Sequence, residues 1–137
     1  MKALLKKHRL LIKQFLKFGI VGTLGFIVDI SVLKFCMVFL GMGPYLGRVF
    51  SFLLGATTTW ICNRVFTFSD RRHGHMGMQW AKFLIVCAVG FTLNYGTYAA
   101  LISLIPYIYL HPVLGVAAGS LTAMFFNFFM VRTLVFR

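Results

Sequence analysis

The chain has 137 residues, 60% of them apolar and 12% charged, with a net charge of +12 and a mean hydropathy of +0.88. Soluble chains carry roughly 45–50% apolar and about 25% charged residues, so a water-soluble globule of this length has nowhere to hide its apolar surface. The bilayer is the expected solvent, and because the cations gather at the ends of apolar runs, they read as membrane-surface charge, with no nucleic-acid partner.

The first seventeen residues carry Lys2, Lys6, Lys7, Arg9, Lys13 and Lys17, with Leu4, Leu5, Leu11, Ile12, Phe15 and Leu16 near helical spacing between them. That pattern predicts a short amphipathic helix lying in the membrane interface. It resembles the start of a secretion signal, but the apolar run continues past a signal's length and no small-residue cleavage site closes it, so the segment is expected to be retained.

Four stretches then meet the requirement of about 20 mostly apolar residues for a span: roughly Phe18–Leu40, Val49–Phe68, Phe83–Ile105 and Val113–Val135. The three prolines, Pro44, Pro106 and Pro112, sit only in the first and third connectors, where helix breakers belong. If all four stretches cross, twelve of the fourteen Lys and Arg fall on one side: the six N-terminal ones, Arg64, Arg71, Arg72 and Lys82, then Arg132 and Arg137. The opposite connectors offer Arg48 alone, and Lys34 lies inside the first stretch. This bias predicts both termini in the cytoplasm and a single orientation.

The chain repeats itself. Gln14–Asp29 and Gln79–Asn94 are identical at seven of sixteen positions at an offset of 65, where apolar bias alone gives about one or two. For the second and fourth stretches two registers compete. An offset of 68 aligns Arg64 with Arg132 and Phe68 with Phe136; an offset of 64 aligns the small row Ser51, Gly55, Thr59, Asn63 with Gly115, Gly119, Ala123, Asn127. Each repeat holds two spans, so the halves enter from the same side, as in parallel-repeat transporters. The expected fold class is an all-α integral membrane protein: four transmembrane helices as two parallel-repeat helical hairpins, plus the N-terminal amphipathic helix. The small rows are expected to pack the second span against the fourth.

No nucleophile–base–acid set, metal-ligand spacing or phosphate loop is visible, and Asp29 and Asp70 are the only acids. No enzyme, no cofactor and no metal are expected. Cys36, Cys62 and Cys87 lie unpaired in apolar runs and read as free thiols, and His73 and His75 as a solvated loop pair. Asp29 is the sharpest residue. A mid-bilayer carboxylate costs about 3 kcal/mol on insertion scales, usually faces the bundle interior and marks a pathway. Its repeat mate is Asn94, and helix rise puts it level with about Thr57, so Asn94 or Thr57–Thr59 are its expected partners.

These residues resemble the GtrA family of small membrane proteins. The likeness rests on Phe15-Leu16-Lys17-Phe18-Gly19-Ile20-Val21-Gly22 followed by mid-span Asp29, on Asn63-Arg64-Val65-Phe66-Thr67-Phe68, and on Arg132-Thr133-Leu134-Val135-Phe136. It covers the chain from about Lys13 onward and makes residues 1–137 one GtrA-like domain, with repeats at about 14–68 and 79–136. With the offset of 68, Val131 stands where the first repeat has Asn63. The resemblance implies a bacterial cytoplasmic-membrane protein that helps flip polyprenyl-phosphate-linked sugars for cell-surface polysaccharide assembly, with a membrane glycosyltransferase as partner.

On that reading Lys17, Lys82, Arg64 and Arg132, with Asn63 beside Arg64, form an inner set suited to phosphate oxygens. Asp29, Asn94 and the threonines around Thr58 line a route for the sugar, and Lys34 with Arg48 receives the phosphate outside. The prenyl tail stays among membrane lipids, and four helices make a conduit thin enough to favour a homo-oligomer. Two other functions fit the composition: an adaptor that recruits a glycosyltransferase without transporting, and a small proton-coupled drug exporter. The charge bias and the duplication count against the exporter.

Overall fold

In a computed structural model the structure describes residues 1–71 and 73–136, with the backbone at 44, 45 and 112. Arg72 and Arg137, both assigned to the cytoplasmic side above, lie outside the described residues. Every regular element described is helical, so the all-α expectation holds.

Helix α1 runs without a break over Lys2–Val38. No proline occurs before position 44, so nothing separates the amphipathic segment from the first span. The expected interface helix is instead the N-terminal extension of one 37-residue rod. At 1.5 Å per residue that rod is about 55 Å long, well beyond a hydrocarbon core of about 30 Å. It ends where Gly41 takes a left-handed φ of 63° and the Met42 N–H reaches back to the Cys36 carbonyl at 3.1 Å.

Helix α2, Pro44–Cys62, opens on a proline in its first turn, where the missing N–H costs no hydrogen bond. It passes directly into a π-helical turn, Asn63–Thr67, closed by Phe68 N–H donating to the Asn63 carbonyl at 2.8 Å. A short 3-10 turn, Ser69–Arg71, follows. Helix α3 is Met76–Leu104, α4 is the five-residue Pro106–Leu110, and α5 is Pro112–Met130. A second π-helical turn, Val131–Val135, extends α5. Helix α4 was not expected; Pro106 and Pro112 each begin a helix rather than merely interrupting one. Three of the described helices are long and apolar enough to cross a membrane: Lys2–Val38, Met76–Leu104 and Val113–Val135. The chain is thus a multi-pass membrane protein.

The chain forms two compact units, Met1–His75 with Phe136–Arg137, and Met76–Val135. In the first, α1 and α2 make an antiparallel hairpin in close contact. A Cβ at Gly25 would land on the Thr59 hydroxyl, one at Gly55 would stand 3.1 Å from Asp29 Cβ, and one at Gly47 would stand 3.3 Å from Leu33. In the second, α3 and α5 repeat the arrangement. Gly90 is covered by the Asn127 side chain, and a Cβ at Gly119 would stand 2.5 Å from the Asn94 carbonyl oxygen. The small-residue rows therefore pack α2 against α1 and α5 against α3. This corrects the expectation that they join the second span to the fourth. A short connector brings sequence neighbours together first, and the glycines let their backbones approach.

The same contacts choose the repeat register. The two π-helical turns are 68 positions apart. Thr59 and Asn127, also 68 apart, each cover the corresponding glycine, Gly25 or Gly90. Phe68 and Phe136 are both wholly buried. The offset of 68 is the structural one. It makes Val116, Gly119, Val131 and Val135 the counterparts of Arg48, Ser51, Asn63 and Thr67.

Candidate functional site

The first unit holds both acidic residues and, among the described residues, the ion pairs. Gly55 leaves room for Asp29 to approach α2, and Asp29 Oδ1 accepts a hydrogen bond from Arg48 Nη1, forming an ion pair. The same Nη1 lies 3.2 Å from Ser51 Oγ, and that hydroxyl donates to the Arg48 carbonyl at 3.1 Å. Ser51 is fully buried. The Asp29 side chain is 18% exposed and that of Arg48 52%. One acid and one base thus neutralise each other inside an apolar run, which removes most of the cost of either charge alone.

The sequence joined Arg48 to Lys34 and gave Asp29 to Asn94 or the threonines; the structure gives Arg48 to Asp29 instead. Thr59 Oγ1 donates to the Gly55 carbonyl at 2.8 Å and Thr58 Oγ1 to the Leu54 carbonyl at 2.8 Å. Both hydroxyl protons go to their own helix, a common fate of threonine in an apolar helix, which leaves each oxygen as an acceptor. Asn94 lies in the second unit against Gly119. Lys34 is exposed and makes no ion pair among the described residues.

At the other end of the hairpin, Lys17 Nζ donates to the Phe66 carbonyl at 3.3 Å and stands 4.5 Å above the Phe66 ring, a cation–π contact. Asn63 Oδ1 accepts from Thr67 Oγ1 at 2.7 Å, while its buried Nδ2 has no partner among the described residues. Gln14 Nε2 donates to Asp70 Oδ1 at 2.9 Å. Phe68 stacks on Phe136 with ring centroids 5.2 Å apart. Arg64 and Arg132 are half-buried in their own units, and Lys82 is exposed.

An apolar groove opens at each end of this hairpin, each of about 410 Å³. Ile20, Leu24, Ile61, Val65 and Phe66 line one, next to Lys17; Phe35, Leu40, Met42, Phe50 and Leu54 line the other. Arg48 is at the same end of the hairpin as the second groove but not in its lining, since two positions along a helix turn it to another face. A cation beside a hydrocarbon-lined trough suits an amphiphile with an anionic head and a greasy tail.

Four participants escaped the sequence reading: Ser51, Phe66, Gln14 and Asp70. The repeat alignment of Gln14 with Gln79 was a signal for one of them, since both glutamines are buried. The family described as GtrA/DPMS, transmembrane domain, matches residues 17–137. No curated protein matches the chain.

Proposed function

The chain belongs to the GtrA/DPMS transmembrane-domain family, which makes it a membrane protein of lipid-linked sugar processes, and on that premise we propose that it flips a polyprenyl-phosphate-linked sugar across the bacterial cytoplasmic membrane. The observation that carries this reading is a cation at each end of one helical hairpin: Lys17 over the Phe66 ring that lines the inner groove, and half-exposed Arg48 near the other end.

In this account α2 crosses too, as the second of four spans. Its 19 residues reach about 28 Å, close to the hydrocarbon thickness. Both termini then lie in the cytoplasm, and Lys17 is the inner cation. The ammonium of Lys17 is anchored to a carbonyl by one hydrogen bond and keeps further donors for a phosphate. The prenyl chain lies in the groove of Ile20, Ile61 and Phe66 while the head group moves along the hairpin. At the outer end the guanidinium of Arg48, half exposed, offers a planar fork that fits two phosphate oxygens. Arg64 and Arg132 add positive potential on the inner side. A membrane glycosyltransferase would consume the delivered sugar, and the protein itself needs no catalytic group.

The test is incorporation of labelled sugar into cell-surface polysaccharide. Lys17→Gln and Arg48→Gln should each abolish it while the protein stays at its normal level in the membrane. Retained incorporation in both would exclude the transport reading and favour an adaptor that only recruits the transferase.

A further inference from the structure

The Asp29–Arg48 pair has no counterpart in the second unit. At the matching positions Asn94 lies against Gly119, and Val116 replaces Arg48. The helical approach survives the loss of both charges, so the pair is not what holds a hairpin of this design together. Its geometry is also unequal. Asp29 is largely covered, Arg48 is half exposed, and one nitrogen, Nη1, serves both Asp29 Oδ1 and Ser51 Oγ. About half of the Arg48 side chain stays exposed beyond that shared nitrogen.

We propose that Asp29 is a built-in competitor for the lipid phosphate at Arg48: the carboxylate occupies the guanidinium between cycles, and the arriving phosphate must displace it. This rests on the reading of Arg48 as the outer phosphate site. A carboxylate and a phosphate monoanion ask for the same forked donor. The apparent affinity for the phosphate is therefore reduced by the fraction of time in which Arg48 is released from Asp29. The same competition ejects the head group afterwards, because re-forming the pair restores compensation of the covered carboxylate. Ser51 is a positioning residue here. Buried and bonded to the Arg48 carbonyl, it keeps the guanidinium within reach of Asp29 when the phosphate leaves. Asp29 thus makes release fast at the expense of tight binding, which is the balance a carrier needs.

The test uses the full chain in nanodiscs of neutral phospholipid, titrated with a short-chain polyprenyl phosphate. Asp29→Asn should bind it about tenfold more tightly than the wild type, and in proteoliposomes it should flip it more slowly. In the Arg48→Gln background, itself weaker in binding, adding Asp29→Asn should produce no tightening, since the competition acts only through Arg48. Thermal unfolding of each variant identifies any that fail to fold; Asp29→Ser, which removes the charge with less bulk, then replaces Asp29→Asn. If folded Asp29→Asn binds no more tightly than wild type while Arg48→Gln weakens binding, the competition is wrong and the phosphate site stands. If Arg48→Gln leaves binding unchanged, the phosphate site and the competition fall together.

Discussion

Gln14 and Asp70, 56 positions apart, are joined by a hydrogen bond of 2.9 Å from the glutamine amide to the aspartate carboxylate. It ties α1 to the turn after α2, and the glutamine is buried. Asp70→Ala removes the acceptor and should cost about 1 kcal/mol, measured as unfolding in mild detergent. Asp70→Asn keeps an acceptor oxygen and should recover most of that loss. Equal stability of Asp70→Ala and wild type would mean that the bond adds nothing.

The hairpin glycines make a sharper contrast. A Cβ at Gly25 collides with Thr59, whereas one at Gly22 meets nothing within 4 Å. Gly25→Ala should destabilise by about 2 kcal/mol, the usual scale of overpacking, and Gly22→Ala should change little. Thr59→Ala should rescue Gly25→Ala in part, because the nearest colliding atom is the threonine hydroxyl. The readout is the detergent-dependent melting temperature of the four variants.

The repeat register predicts which polar pair the first hairpin can dispense with. Asn63 and Thr67 bond each other at 2.7 Å, and their counterparts are Val131 and Val135, both buried. Asn63→Val alone strips the Thr67 hydroxyl of its acceptor and should cost about 1 kcal/mol. The double substitution Asn63→Val with Thr67→Val should lie close to wild type. A double variant much less stable than the single one would show that the two π-helical turns are not equivalent.

The proposed four crossings would give a distinct labelling pattern. With Cys36, Cys62 and Cys87 replaced by alanine, a cysteine at Met42 should react with an impermeant maleimide from the outside of intact cells. One at His73 should react only after lysis. Reaction of both from the same side would leave α2 short of crossing.

Much of the fold was legible because hydropathy and charge placement report on the solvent directly. Apolar runs between Lys17 and Lys82 or beyond have one stable home, and Pro44, Pro106 and Pro112 mark where helices begin. The Gln14/Gln79 and Gly25/Gly90 pairs exposed the duplication. The register of α2 against α5 was not legible, because a row of small residues every fourth position fits itself after a shift of one turn. The π-helical turns that fix it have no sequence signature of their own. The Asp29–Arg48 pair was missed for a different reason. By its place in the sequence Arg48 is the rim of a connector, while in the folded chain it belongs to the second turn of α2 and reaches across the hairpin to a residue 19 positions earlier. Burial of Gln14 was equally hidden, since its neighbours Lys13 and Lys17 look solvated. The N-terminal helix was seen, but not its fusion to the first span, because amphipathic and uniformly apolar patterns can follow each other in one rod.

The transport claim is tested most directly in proteoliposomes holding the full chain alone and a fluorescent short-chain polyprenyl-phosphate sugar in both leaflets. A membrane-impermeant reductant added outside bleaches the outer pool at once. The account predicts that the inner pool then bleaches as well, within minutes, in wild-type vesicles, and that bleaching stops near one half in Arg48→Gln vesicles. Wild-type vesicles that also stop near one half, with the protein folded and oriented, would contradict it.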